Sequence, residues 1–353
     1  MAYSGMLKPM LNALALGGSI LLLTGQAAQA ADAVKVAYIP CGQINDGSWS
    51  QAGYEGVKDA QAALAKAGIK MTIDSSESLS PSKAEAAARD YASRGFQTVV
   101  LHCGTFADAA YNSGKDFPKT NFLIVVAPKS VGNVWSYIPA MQDVSFAAGY
   151  LASKLSKSNA VGVVGSFNFS NVTWQVEGFR LGARYGNPDI KTYATYINSF
   201  DDVGKAKEAA QAEIDSGADV IYSATDQASR GIYAAAAGAG ALAMASYSDQ
   251  SSLAPKTVVA SALADIPLLV ANVVQDSVKG KLVPGKVYAL GMADGDGKEL
   301  VINPAMASKI PAKTLDEVKK LIEDIRAGRL KVPAISQPGG SATVDLKSLT
   351  PAR

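Results

Sequence analysis

Residues 34 to 68, VKVAYIPCGQINDGSWSQAGYEGVKDAQAALAKAG, decide the fold. The opening VKVAYIP is apolar apart from Lys35 and reads as a buried strand. From Trp49 onward, Ala52, Val57, Ala60 and Leu64 recur near helical spacing. Between the two lies a run of Asn, Asp, Gly and Ser, so the polar residues sit on a strand-to-helix turn. In open α/β sheets such turns stand at the carboxyl ends of the strands, where ligands are held.

Outward from this unit the alternation continues. KMTIDS (70–75) is a second strand, and PSKAEAAARDYASRG is a helix opened by Pro81 and closed by Gly95. QTVVLHC (97–103) and NFLIVVA (121–127) are further strands. The turn-rich KSVGNVWSYIP (129–139) reads as a crossover into a second series: a small-residue helix at 143–156, then AVGVVGS (160–166), ADVIYSA (218–224) and ALAMASYS (241–248), with helices between them. TVVASA, the helix IPLLVANVVQDSVKG, KVYALG and the helix TLDEVKKLIEDIRAG complete the pattern. Strands alternating with helices of this length predict parallel sheets with right-handed crossovers, hence an α/β protein of two doubly wound lobes. The expected division is 31–139 plus about 260–292 for the N-terminal lobe, 140–259 plus about 293–335 for the C-terminal lobe, and a loosely held tail at 336–353.

With 33 basic and 31 acidic residues interspersed, the chain has no concentrated positive face, which speaks against a nucleic-acid partner. The N-terminal thirty residues have one early charge, Lys8, then an apolar run broken by Gly17, Gly18 and Ser19, then Ala28-Gln29-Ala30. That is the pattern of a cleavable signal peptide, with a mature chain starting near Ala31 and exported. No Cys follows the apolar run, so no lipid anchor is expected. Cys41 and Cys103 end two apolar strands that a 2-1-3 strand order would make neighbours. A bridge between them is conceivable, but adjacent parallel strands strain that geometry, and the expectation is two buried thiols.

Chemistry for catalysis is thin. One His, His102, excludes a His-rich zinc site, and there is no third Cys. G-x-S-x-G, G-x-x-x-x-G-K-[ST] and G-x-G-x-x-G after the first strand are all missing. His102 itself reads as structural rather than as a base. No catalytic residue, metal or cofactor is assigned.

Polar and aromatic groups do gather at successive strand ends: Asn45, Asp46, Ser48 and Trp49 after the first strand, Phe106 after the third, Phe167 and Phe169 after AVGVVGS, Asp226 after ADVIYSA, and Tyr247 and Asp249 after ALAMAS. Carboxylates and amides recognise ring N–H groups and hydroxyls, and aromatic faces stack on flat ligands. Each residue has a plainer reading. Asp46, Ser48 and Asp226 suit helix caps, Asp249 suits a turn, and Trp49, Phe106 and Phe167 suit core packing. The case for ligand contact rests on their shared location.

INDGSWSQAGYEG, AAGYLASKLS, VGVVGS, GFRLGARYGNPDIK, YINSFDDVGKAKEAAQAEIDSGADVIYSATDQASRGIYAAA, SYSDQSSLAPK and LIEDIRAGRLKVP resemble the basic membrane protein family of ABC-transporter solute-binding proteins, from about Val34 to Pro333. The resemblance implies the type I periplasmic-binding fold, with three crossovers and a hinged cleft, and a purine nucleoside or nucleobase as ligand. It implies a monomeric periplasmic receptor, not an enzyme, that serves an inner-membrane ABC permease. It places Asp46 where a carboxylate holds the purine, Trp49 where an aromatic stacks on the base, and Phe106 and Phe167 as second faces. Two departures bear on the ligand. Ala245, Ser246 and Tyr247 stand where nucleoside receptors tend to have Gly-Val-Asp, and Ala264 stands where a Lys is expected. Without those ribose partners a free nucleobase fits better than a nucleoside. A sugar or other heterocycle on the same fold, a sensory receptor component and a periplasmic nucleoside hydrolase are the alternatives.

Overall fold

The computed structural model describes residues 33–47, 49–292 and 300–349. Two six-stranded sheets run in near-identical order. In the first lobe the order is β11-β5-β4-β3-β1-β2, made of β1 (Val34–Pro40), β2 (Met71–Ser75), β3 (Thr98–His102), β4 (Asn121–Val125), β5 (Val134–Pro139) and β11 (Tyr288–Leu290). In the second it is β12-β10-β9-β8-β6-β7, made of β6 (Ala160–Gly165), β7 (Lys191–Tyr196), β8 (Val220–Ala224), β9 (Leu242–Tyr247), β10 (Val258–Leu263) and β12 (Leu300–Ile302). All described pairings between these strands are parallel except β10 with β12. The α/β expectation therefore holds, with both faces of each sheet covered by helices.

Helix α1 (Trp49–Lys66) buries Gly53, Gly56, Val57, Ala60 and Leu64, a stripe at helical spacing, and packs on α8 (Ile266–Val278) over one face of the first sheet. α2 (Pro81–Ser93) and α3 (Ala107–Asp116) cover its other face. In the second lobe α4 (Gln142–Leu155) and α5 (Ser170–Gly186) pack against each other so closely that a Cβ on Gly149 or Gly182 would run into the facing helix's carbonyl oxygens. α6 (Val203–Asp215) and α7 (Ser229–Ala239) form the opposite layer. Asp202 caps α6 through the Lys205 N–H at 2.9 Å, and Asp265 caps α8 through the Leu268 N–H at 2.9 Å.

Three expectations are corrected. VWSYIP is strand β5 rather than a loose crossover; it alternates no charge and is buried throughout, so it pairs with β4, and the chain leaves the lobe only between Pro139 and Gln142. The return passage lies after β10, between Leu263 and Ile266, a few residues beyond the expected position near 260, because Val258–Leu263 pairs with β9. The tail is tied down as far as Leu349. Glu177 of α5, fully buried, accepts hydrogen bonds from the Gly339 and Ser341 N–H groups and from the Ser341 hydroxyl, and Leu349 enters the core. The expected signal peptide and the last four residues of the tail lie outside the described residues. Among the described residues no helix is long and apolar enough to cross a membrane.

Candidate functional site

A cavity of about 450 Å³ of space, part of it open to solvent, lies between the carboxyl ends of the two sheets. The first lobe lines it with Cys41, Trp49, Gly104 and Val126. The second lobe contributes the polar side chains Ser166, Asn171, Thr225 and Asp226 together with Phe169, Phe200 and Tyr247. Asp226 is the one carboxylate, and no Lys, Arg or His stands among the described lining residues. A site with one carboxylate and no cationic side chain on its lining disfavours phosphates and carboxylates, which would add negative charge with no counter-charge there, and suits neutral N–H donors or cations.

Of the residues singled out in the sequence, the structure brings Trp49, Asp226 and Tyr247 together. Trp49 ends up only 8% exposed, and its indole meets the Tyr247 ring edge-on across the cleft, centroids 5.3 Å apart. Tyr247 is locked from behind: Gln175 Nε2 donates to its hydroxyl at 3.0 Å, and Tyr222 Oη donates to Gln175 Oε1 at 2.8 Å, both fully buried. Tyr247 also holds a left-handed backbone, φ 69°, at the end of β9, and Val126 holds one, φ 60°, at the matching end of β4. Left-handed backbone costs a non-glycine residue about 1–3 kcal/mol, and for β-branched Val126 it is an outlier. Both strained residues line the cavity.

The other expected residues stand elsewhere. Asp46 does not face the cavity; its two oxygens accept the Ser50 and Gln51 N–H groups at 3.0 Å each, so it caps the start of α1. Asn45 is exposed on the turn, and Ser48 lies outside the described residues. Phe106 is 1% exposed in the core between the first sheet and α2 and α3, because the short turn after β3 swings it to the far face. Phe167 is one ring behind the wall, stacked on Phe169 at 5.1 Å and tilted against Phe200 at 4.6 Å. Asp249 holds a turn, accepting from the Ser251 N–H at 2.9 Å and the Ser261 hydroxyl at 3.2 Å.

Phe200, Asn171, Val126 and Cys41 were missed. The loop after β7, carrying Phe200, obeys the same strand-end rule and was open to it. Val126 and Cys41 carry no polar signal. The two cysteines are bridged, which corrects the expectation of free thiols: Pro40 and His102 are the last paired residues of β1 and β3, so Cys41 and Cys103 face each other just past the ladder, Cα atoms 4.9 Å apart, where the chains are free to turn.

With the cleft in view, the comparisons with known proteins decide the family. A family described as PnrA-like ABC transporter substrate-binding proteins, Bmp, matches residues 33–330. The chain belongs to the Bmp family. It is therefore a substrate-binding protein of the ABC-transporter type and not an enzyme. It is 30% identical over 252 residues to the transcriptional activator protein Med of Bacillus subtilis, covering 69% of this chain and 75% of that one. It is 26% identical to a purine-binding protein of Brucella abortus, over 86% of this chain and 83% of the relative. A solute-binding protein of Aeropyrum pernix shares the fold with a TM-score of 0.74 at 19% identity, over 90% of this chain and 98% of the other.

Proposed function

We propose that this Bmp-family protein is an exported periplasmic receptor that captures a purine-like nucleobase by closing its two lobes and delivers it to an inner-membrane ABC permease as a monomer. The observation that carries the reading is the composition of one cavity: an indole platform from the first lobe, and aromatic edges with one carboxylate from the second. A planar heterocycle rich in N–H groups would stack on Trp49, donate to Asp226, and find acceptors and donors in Thr225, Asn171 and Ser166. The purine-binding relative points to the same ligand class. Closure excludes water, so each polar group left unpaired costs about 1–3 kcal/mol, and specificity follows from that penalty.

Tyr247 favours the base over the nucleoside. Its ring packs at a steep angle against Trp49 and is held in place by Gln175, leaving a wall where a ribose would need hydroxyl partners. Isothermal titration of the refolded, ligand-free mature protein with adenine, guanine, hypoxanthine, adenosine, inosine and uracil tests this. The expected result is binding of one or more purine bases at micromolar affinity or better, with nucleosides weaker. Silence across the panel would mean that the cleft serves another solute. The likeness to a transcriptional activator favours a second reading, in which the ligand-bound form is read by a regulatory partner; loss of base uptake in cells lacking the protein separates transport from that role.

A further inference from the structure

His102, the last residue of β3, is fully buried directly behind Trp49. The two rings stack with centroids 4.7 Å apart and planes 23° from parallel, and the indole Nε1–H donates to the His102 carbonyl at 3.2 Å. The indole is therefore held by the ring and the backbone of the same residue. His102 is fixed in turn. Its Nδ1 lies 2.6 Å from the hydroxyl of Tyr137, itself fully buried on β5, with the two rings within 17° of parallel. On another side α1 approaches through Gly53, where a Cβ would sit 2.7 Å from both Nε2 and Cδ2 of the imidazole and would run into the Tyr38 hydroxyl. Tyr38 closes the nest by donating to the Ser50 carbonyl at 2.8 Å, one residue from Trp49.

The imidazole gives up something in this position. Its Nε2 is buried with no hydrogen-bond partner among the described residues, a cost that a hydrocarbon ring would not carry. What it gains is direction. A ring bonded at Nδ1 to Tyr137 cannot rotate about its own axis, and a stacked partner of fixed plane sets the plane of Trp49. Burial lowers the imidazole to about 3, so it stays a neutral ring under physiological conditions.

We propose that His102 is a positioning residue of the ligand site: together with Tyr137 it forms a rigid backing that fixes the indole of Trp49 in its cleft-facing plane. The proposal rests on the reading of Trp49 as the ligand platform. Its test compares His102→Asn, which keeps a polar partner for Tyr137 but loses the ring, with His102→Phe/Tyr137→Phe, which keeps both rings and removes the bond. Two quantities are read in the full mature protein: acrylamide quenching of Trp49 without ligand, isolated by difference from Trp49→Phe, and the dissociation constant for adenine. His102→Asn is expected to raise Trp49 quenching at least threefold and to weaken adenine binding about tenfold, while the double variant, which keeps the stacked ring but frees its axis, shows a measurable but smaller change on both, below about threefold. Unchanged quenching in His102→Asn, or a larger loss in the double variant than in His102→Asn, would overturn the proposal. Should His102→Asn fail to fold by circular dichroism, Tyr137→Phe alone replaces it, with a measurable rise in Trp49 quenching expected and no rise overturning the idea. If wild-type protein ignores adenine, guanine and hypoxanthine alike, the purine reading fails, and the ligand-free quenching series still decides the role of His102.

Discussion

In the first lobe the cleft wall is Cys41, Trp49, Gly104 and Val126, and the one side-chain donor among them, the indole N–H, is turned inward onto His102. In the second lobe the wall holds Ser166, Asn171, Thr225 and Asp226, with Phe169, Phe200 and Tyr247 among them. The sheets behind these walls have the same strand order, and even the left-handed residues, Val126 and Tyr247, sit at the ends of corresponding strands. What differs is the side chains laid on that frame. One lobe offers a flat, covalently braced platform, and the other offers the groups that tell one ligand from another. Shared topology thus places a site without assigning its chemistry.

The contrast extends to how each lobe is stabilised, and it breaks most visibly under alkaline conditions. Glu213 of α6 is buried in the second lobe against Gly162 of β6, and burial raises its carboxyl to about 8. The fold therefore holds this proton more tightly than the unfolded chain does. Its contribution is complete below the ordinary carboxylate range and is lost as pH rises through about 8. The unfolding free energy from urea titrations should be lower at pH 8.5 than at pH 5 by an amount on the order of several kcal/mol, and Glu213→Gln should flatten that slope. A slope unchanged in the variant would remove Glu213 as its source.

Reduction should strike the other lobe. The Cys41–Cys103 bridge spans a sequence separation of 62 residues. Loop-closure arithmetic gives it about 4 kcal/mol. Hydrogen exchange under dithiothreitol should accelerate in β1, β3 and the turn before α1 while the second lobe keeps its protection; uniform acceleration would show that the lobes unfold as one unit.

Ligand affinity sharpens the same comparison. Trp49→Ala removes the platform and should weaken adenine binding by about 1–3 kcal/mol, read by titration calorimetry. Asp226→Asn keeps the shape of the second wall but loses a charged acceptor, and about a tenfold weakening is expected, with purines that present an N–H to it most affected. Tyr247→Phe should have the smallest effect, within about threefold for bases, since the ring remains and only its bond to Gln175 is lost.

Several of these residues were legible before the fold was known. Trp49 opens the helix after β1, Asp226 stands two residues past β8 and Tyr247 ends β9, and strand ends converge on the cleft by topology alone. Asp46 and Phe106 obeyed the same rule and failed it, for local reasons: a carboxylate three residues before a helix's first turn finds free N–H groups there before it finds a ligand, and a one-turn detour after β3 sends a side chain to the opposite face of the sheet. Phe200 was within reach of the rule, whereas Val126 carried nothing to notice and Cys41 reads in the sequence only as a packed thiol.

The sequence by itself determined the class of the fold, the alternation of its elements and the region of the ligand site, because hydrophobic period and turn chemistry are local properties written residue by residue. The tertiary structure alone decided which strand-end residues face the cleft, that two cysteines meet just beyond a ladder, and that a buried histidine lies flat against the indole. Those are relations between segments distant in the chain, fixed by strand register and helix packing.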